Sequence, residues 1–241
     1  MLSKNQIKFI TSLQQKKYRF QNGLFIAEGV KVVKELINSS FELEKLYCTE
    51  DHALSLANYK PKILSEKELL KISGLSTPNK VLGLFKIPDA SNILMEGLLL
   101  ALDDINDPGN LGTIIRLCDW FGVQYLFCSK NTVDCYNPKV VQASMGSLAR
   151  VHISYVDLDQ FLNETSLPIY GATMDGEHIA SLNLEKNAII VMGNESHGLS
   201  NEIEALVTKK ITIPKFNKSK DIDSLNVATA TAIILNEFRR T

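Results

Sequence analysis

The sequence predicts an α/β protein in two parts: a small N-terminal α/β domain, then a larger C-terminal α/β domain with a mainly parallel sheet. Three observations predict it. Short apolar runs alternate with helix-period segments along the chain. In the second half several of these runs are wholly apolar, the pattern of strands buried on both faces. The charge also changes sign. Residues 1–90 carry 14 Lys and Arg against 9 Asp and Glu, and residues 91–241 carry 12 against 18. The turn-type cluster Pro88-Asp89-Ala90-Ser91-Asn92 separates the two compositions. We therefore expect a first domain over 1–90, a linker over 91–97 and a second domain over 98–241.

In the first half the periodicity predicts a helix over 3–18, a strand at Leu24–Ala27 and a helix at Glu28–Asn38. A strand at Leu43–Thr49, a helix near 51–57, a strand near 61–64, a helix near 65–72 and a strand at Val81–Ile87 follow. The second half predicts strands at Leu98–Asp103, Gln124–Ser129, Val151–Val156, Ile169–Met174, Ala188–Met192 and Lys210–Ile213. Helices are expected at Asn110–Phe121, Pro138–Leu148, Asn201–Val207 and from about Leu225 to Arg239. Strands separated by helices form parallel sheets, and ligands of such sheets sit beyond the carboxyl ends of the strands.

Composition bounds the function. With 45% hydrophobic and 22% charged residues the chain can bury a core, which excludes global disorder. No apolar run reaches the roughly 18 residues of a membrane span. The N-terminus has no signal-peptide pattern, so we expect a cytoplasmic protein without membrane contact. Four cysteines without a Cys-x-x-Cys pair fit reduced thiols. Lys4, Lys8, Lys16, Lys17 and Arg19 meet no acid in the first twenty residues. That fits a polyanion-docking domain, with Lys16, Lys17 and Arg19 as candidate polyanion contacts; a solvated basic face fits the charge as well.

Three loops fall at strand ends. The first, Asp103 to Arg116, passes through Asp107-Pro108-Gly109-Asn110-Leu111-Gly112 into a helix whose core stripe is Leu111, Ile114, Ile115 and Cys118. Arg116 lies off that stripe, and an Arg near a helix start suits a phosphate; a capped helix with a surface Arg is the simpler reading. A divalent metal on Asp103, Asp104 and Asp107 is a weaker reading, since Asp107 before Pro108 can cap the helix. The second loop is Gly193-Asn194-Glu195-Ser196-His197-Gly198, with glycines placed to let a ligand approach backbone. It lacks the Gly-x-Gly-x-x-Gly spacing of dinucleotide binders. Glu195 reads as bonding loop amides, and His197 as a solvated side chain more readily than a base. The third runs from Ile213-Pro214 to Ser224-Leu225-Asn226-Val227, where Ser224 can cap the last helix.

Taken together and in this order, the loops resemble the SpoU-type RNA 2′-O-ribose methyltransferases of the SPOUT superfamily. Asn137-Pro138-Lys139-Val140-Val141 and Ser144-Met145-Gly146-Ser147 add to the resemblance, which spans about 98–240. Arg19-Phe20 with Phe25-Ile26-Ala27-Glu28-Gly29 is similar to the family's accessory substrate-binding domain. The resemblance implies S-adenosylmethionine as methyl donor, RNA as substrate, no metal, a trefoil-knotted C-terminal segment and a homodimer with sites at the subunit interface. It implies that Gly193, Ile213 and Leu225 hold the donor. It also implies that Arg116, Asn110, Glu195, Ser224 and Asn226 form the catalytic and RNA-side constellation. Two departures stand out: a longer stretch over 215–223, and Ala228 where the family commonly has Ser.

The expected reaction is attack of a ribose 2′-oxygen on a sulfonium methyl. Ribosomal RNA is favoured over transfer RNA because a docking domain precedes the catalytic one. A non-catalytic RNA-binding protein of the same fold is the alternative from another class. A nucleotide-dependent oxidoreductase is disfavoured by the missing glycine fingerprint.

Overall fold

The computed structural model describes residues 1–75, 77–89, 96–217 and 224–240. The first half runs α1 (Lys4–Ser12), α2 (Lys16–Asn22), β1 (Leu24–Glu28), α3 (Val30–Ile37), β2 (Leu43–Cys48), α4 (Glu50–Ala53), β3 (Lys62–Ile63), α5 (Glu66–Leu70) and β4 (Val81–Lys86). The second runs β5 (Leu98–Leu102), α6 (Pro108–Phe121), β6 (Tyr125–Ser129), α7 (Pro138–Ala143), β7 (His152–Val156), α8 (Leu158–Asn163) and β8 (Ile169–His178). It ends with β9 (Ala188–Met192), α9 (Asn201–Glu204), β10 (Lys209–Thr212) and α10 (Val227–Arg239).

Two compact units result: Met1–Ala90 with Asp134–Ala149, and Ser91–Val133 with Arg150–Thr241. The first unit thus takes in a segment that sequence composition groups with the second half. Most of the expected linker, residues 91–95, lies outside the described residues.

The first unit is built on a four-stranded sheet of order β1-β4-β2-β3. β4 is antiparallel to β1 and β2, and β2 is parallel to β3. Ile10 and Leu13 from the N-terminal helical region, with Leu69 and Ile72 from the α5 region, pack with Ile26, Tyr47, Leu82 and Leu84 of the sheet. The expected single helix over 3–18 is two helices. The Thr11 hydroxyl donates to the Ile7 carbonyl at 2.9 Å and the Ser12 hydroxyl to the Phe9 carbonyl at 2.6 Å, in competition with the helix ladder, and Gln15 turns extended before α2. The helix expected from Glu28 starts at Val30. Glu28 instead ends β1, where its buried carboxylate accepts from Ser73 Oγ at 2.5 Å and the Gly74 amide at 2.8 Å. The helix expected near 51–57 is α4 followed by a 3-10 turn at Leu54–Tyr59.

The helix expected over 138–148 stops at Ala143. Met145 and Gly146 take left-handed φ of 52° and 96°, and a 3-10 turn follows at Ser147–Ala149. A Cβ on Gly146 would lie 2.7–2.8 Å from Glu35 side-chain carbons, so glycine is required twice over, for its φ and for the close approach.

The second unit holds a six-stranded sheet of order β10-β8-β9-β5-β6-β7, parallel at every pairing. β5, β6 and β9 are buried along their whole length, as uninterrupted apolar runs require of doubly covered strands. On one face Leu99, Ala101, Phe127, Ile189 and Val191 meet Leu158 and Leu162 of α8 and Ile203 of α9. On the other, Tyr170 of β8 stacks edge-on to Phe238 of α10, and α10 packs along α6. Helix α8 escaped the sequence reading, although Asp157 caps it and Leu158, Phe161 and Leu162 supply its apolar stripe. β8 runs four residues beyond the expected Met174, and α9 ends three residues before the expected Val207. No described helix is long and apolar enough to cross a membrane.

Candidate functional site

The site grows from the carboxyl ends of β5 and β9, which pair in parallel so that their following loops leave the same sheet edge. After β5, the Asp103 carboxylate accepts from the Ser200 amide at 2.7 Å and hydroxyl at 2.8 Å. Asp104 adopts a left-handed φ of 57°. Its amide donates to Ser129 Oγ at 2.9 Å, and that hydroxyl donates back to Asp104 Oδ1 at 2.7 Å. Such reciprocal bonds hold a conformation that non-glycine residues rarely adopt. Asp107 caps α6 by accepting the Asn110 amide at 2.8 Å, with Pro108 at the first helical position. The three carboxylates therefore do not converge on a metal. No group of three or more metal-capable side chains occurs among the described residues.

The loop after β9 closes on itself. The Asn194 amide donates to the Gly198 carbonyl, and the Gly198 amide to the Asn194 carbonyl, both at 2.9 Å. Asn194 Nδ2 reaches the Asp104 carbonyl at 2.6 Å, and its Oδ1 accepts the Ser196 amide at 2.8 Å. Asn194 thus ties the first loop to the second, a role the sequence reading did not assign. The side-chain direction of Gly193 is filled by its own loop: a Cβ there would sit 2.3–2.5 Å from Gly198 and Leu199 backbone atoms. Gly193→Ala is therefore expected to destabilise the fold by about 1–3 kcal/mol and to displace Glu195, lowering activity more than stability alone explains. Urea unfolding and a methyl-transfer assay on the variant check this.

The third segment reaches the same place through Asn226. Its Oδ1 accepts the Ala228 and Thr229 amides at 3.0 and 3.2 Å, so Asn226, not Ser224, is the helix cap. Asn and Ser cap comparably well; the helix starts at Val227, and the Asn226 amide nitrogen is left free for a partner of its own. Asn226 Nδ2 donates to Asn110 Oδ1 at 2.9 Å, and Asn110 Nδ2 donates to Glu195 Oε1 at 2.7 Å. Asn110 therefore stands between the second and third loops with both ends of its amide in use. Flipping that amide would set oxygen against the Glu195 carboxylate, which fixes its orientation. Glu195 accepts from a side chain of the first loop rather than from loop amides.

The remaining expected residues are placed as follows. Arg116 lies on the exposed face of α6 with Thr113 and Trp120, and makes no ion pair or hydrogen bond among the described residues. It is not part of the Asn110–Glu195–Asn226 network. Ser224 is exposed and His197 is an exposed loop side chain. Ile213 and Pro214 are half-buried just past β10, and Leu225, next to Asn226, is 48% exposed. Of the long stretch 215–223, residues 218–223 lie outside the described residues.

Lys16 and Lys17 are exposed on α2, but Arg19 is not available to RNA. It is 1% exposed, and Nε and Nη2 both bond Asp134 Oδ2, at 2.9 and 2.5 Å, while Nη1 donates to the Leu13 and Gln14 carbonyls. A guanidinium with these four bonds is an internal tie.

The SpoU rRNA Methylase family matches residues 97–236, and the MRM3-like substrate binding domain matches residues 4–83. A Bacillus subtilis 23S rRNA (guanosine(2553)-2′-O)-methyltransferase is 24% identical, over 98% of this chain and 97% of its own. A TrmH-family protein from Porphyromonas gingivalis has a structure with a TM-score of 0.89 and 38% identity, covering 99% of this chain and 98% of that one. An AdoMet-bound rRNA methyltransferase from Sinorhizobium meliloti gives 0.87 and 28%, covering 99% and 96%. With a six-stranded parallel sheet, three motif-bearing loops at its carboxyl edge and more than half of its length matched, the chain belongs to the SpoU rRNA methylase family.

Proposed function

We propose that the chain transfers a methyl group from S-adenosylmethionine to a ribose 2′-hydroxyl of ribosomal RNA. The observation that carries this is the joining of Asn110 in the first turn of α6, Glu195 in the loop after β9 and Asn226 at the cap of α10 by side-chain hydrogen bonds at 2.7 and 2.9 Å. The relatives named above, from Bacillus subtilis and Sinorhizobium meliloti, support ribosomal RNA as the substrate and the sulfonium donor. Residues 1–90 would serve as the substrate-binding domain and 98–241 as the methyltransferase domain.

The residues at the sheet edge suit the donor. Leu225 leaves nearly half its surface uncovered, Phe216 is almost wholly exposed, and Ile213 and Pro214 are half-buried. These apolar side chains would help to cover a purine, with Gly193, Ile213 and Leu225 contributing backbone groups. When bound, the donor supplies an electrophilic methyl on a positively charged sulfur. The chain's own residues do the rest. The Asn110–Glu195–Asn226 network fixes the loop mouths, and holding an attacking oxygen in line can be worth several kcal/mol of the barrier. Arg116 would grip the phosphate beside the target ribose and stabilise charge developing on the 2′-oxygen. A guanidinium stays protonated near neutral pH, so it is a poor proton acceptor and a good anion clamp. Ser224 remains a candidate substrate contact at the entrance to α10.

We further propose a homodimer with its sites at the subunit interface. Arg116 stands apart from the Asn110 network, and Trp120, one turn further on the same helix face, is 83% exposed. A second copy covering that face would bury the indole and set Arg116 against the partner's site. A trefoil-knotted C-terminal segment, which the family resemblance implies, and a cytoplasmic location belong to this proposal as well.

Mass spectrometry of ribose-methylated nucleotides in ribosomal and transfer RNA, from cells with and without the protein, tests the assignment. Loss of methylation at a ribosomal nucleotide is expected. Loss confined to transfer RNA would overturn the choice of substrate. No loss, together with no donor binding by calorimetry, would favour a non-catalytic RNA-binding protein.

A further inference from the structure

The first unit carries a groove that the network of loops does not use. Asn5, Lys8, Phe9, Thr11 and Ser12 of α1, with Gln15 and Tyr18 at α2, line an open trough of about 540 Å³. Phe9 is 39% exposed at its rim and also lines a smaller adjoining groove of about 200 Å³ with Leu24, Glu44, Lys45 and Tyr47. Two lysines sit by aromatic rings on the same helix pair: Lys17 Nζ lies 5.9 Å from the Tyr18 ring centre and Lys16 Nζ 6.0 Å from that of Phe20. Phe20 is itself 53% exposed.

Charge is one-sided here. The first acid in the sequence is Glu28, and its buried carboxylate is taken by Ser73 and Gly74. Arg19 is neutralised internally by Asp134, so the outward charge of α1 and α2 comes from Lys4, Lys8, Lys16 and Lys17. Glu44, beside Lys45, is the one acid among the residues that line either groove. Exposed aromatic rings interleaved with ammonium groups, in an open and acid-free trough, match the chemistry of an unpaired nucleic-acid strand. Bases stack on the rings and phosphates meet the lysines. A duplex would offer no free base faces to Phe9 and Tyr18.

We propose that this groove receives an unpaired stretch of the RNA substrate, with bases stacked on Phe9 and Tyr18 and the backbone held by Lys8, Lys16 and Lys17. The inference rests on RNA being the substrate and adds where, and in what form, the RNA is held.

The test is fluorescence anisotropy of the full chain with a short labelled oligouridylate, and with a duplex RNA of equal length, across a salt series. The single strand is expected to bind more tightly. Phe9→Ala should weaken it by about tenfold, Phe9→Trp should restore it, and Lys8→Gln should lower the salt slope by about 0.7. Calorimetric titration with S-adenosylmethionine reports folding of each variant and, separately, whether the methyltransferase reading stands. Equal affinity for strand and duplex would overturn the proposal, as would Phe9→Ala and Lys8→Gln variants that bind like wild type. Light scattering that finds Phe9→Ala dissociating a dimer would also overturn it, by assigning the groove to a second copy of the chain.

Discussion

Arg19→Ala is expected to lower the unfolding free energy by about 3–5 kcal/mol, because it strands the buried carboxylate of Asp134 without its partner. It also removes donors from the Leu13 and Gln14 carbonyls, the turn that separates α1 from α2. Asp134→Asn should cost a comparable amount. The paired replacement Arg19→Met with Asp134→Leu should cost less than either single change, since an ion pair replaced by apolar groups leaves no orphaned charge. Urea melts of the three variants check this. An Arg19→Ala protein as stable as wild type would show that the tie carries no energy. In folded variants RNA affinity should follow Lys16 and Lys17, not Arg19.

Arg116→Ala is expected to reduce kcat by about 10²–10³-fold, the usual cost of removing one charge-stabilising group from a reacting site. Donor affinity measured by calorimetry should be unchanged, because the loss falls on the RNA side. Arg116→Lys distinguishes a shaped guanidinium clamp from a simple positive charge, since the fork geometry is lost while the charge is kept. A small residual activity supports the clamp. Near-complete activity with a neutral pH optimum would contradict it. Within one chain the Arg116 side chain is exposed and unpaired among the described residues, so neither change should alter the stability of the monomer by more than about 0.5 kcal/mol; any loss at the proposed dimer interface is read separately, by light scattering.

The second unit was largely legible because its signals are local. Leu98–Leu102 and Ala188–Met192 are unbroken apolar runs, and Asp107 before Pro108 marks a helix start. What escaped depends on partners distant in sequence. Arg19 looks like one more cation in a basic tract until Asp134, 115 residues away, is brought beside it. Asn226, the cap of α10, has its second partner in Asn110, 116 residues away. The break after Ala143 follows from Gly146 passing close to Glu35. The interruption of α1 was visible in principle, because Thr11 and Ser12 side by side are poor companions for a helix interior, their hydroxyls competing for backbone carbonyls. The convergence of the three loops was suggested by their order at strand ends. The bonds that join them could not be read from spacing.

The joining of the three loops into one site through Asn110 is tested most directly by a double-mutant cycle on methyl transfer. Glu195→Ala removes one partner of Asn110; Asn226→Ser removes the other while keeping a capping oxygen for α10. Groups that act as a unit give non-additive losses. The expected result is a double variant scarcely slower than the worse single variant. Losses that simply multiply would mean that Glu195 and Asn226 act independently, and that the three loops are neighbours rather than one site.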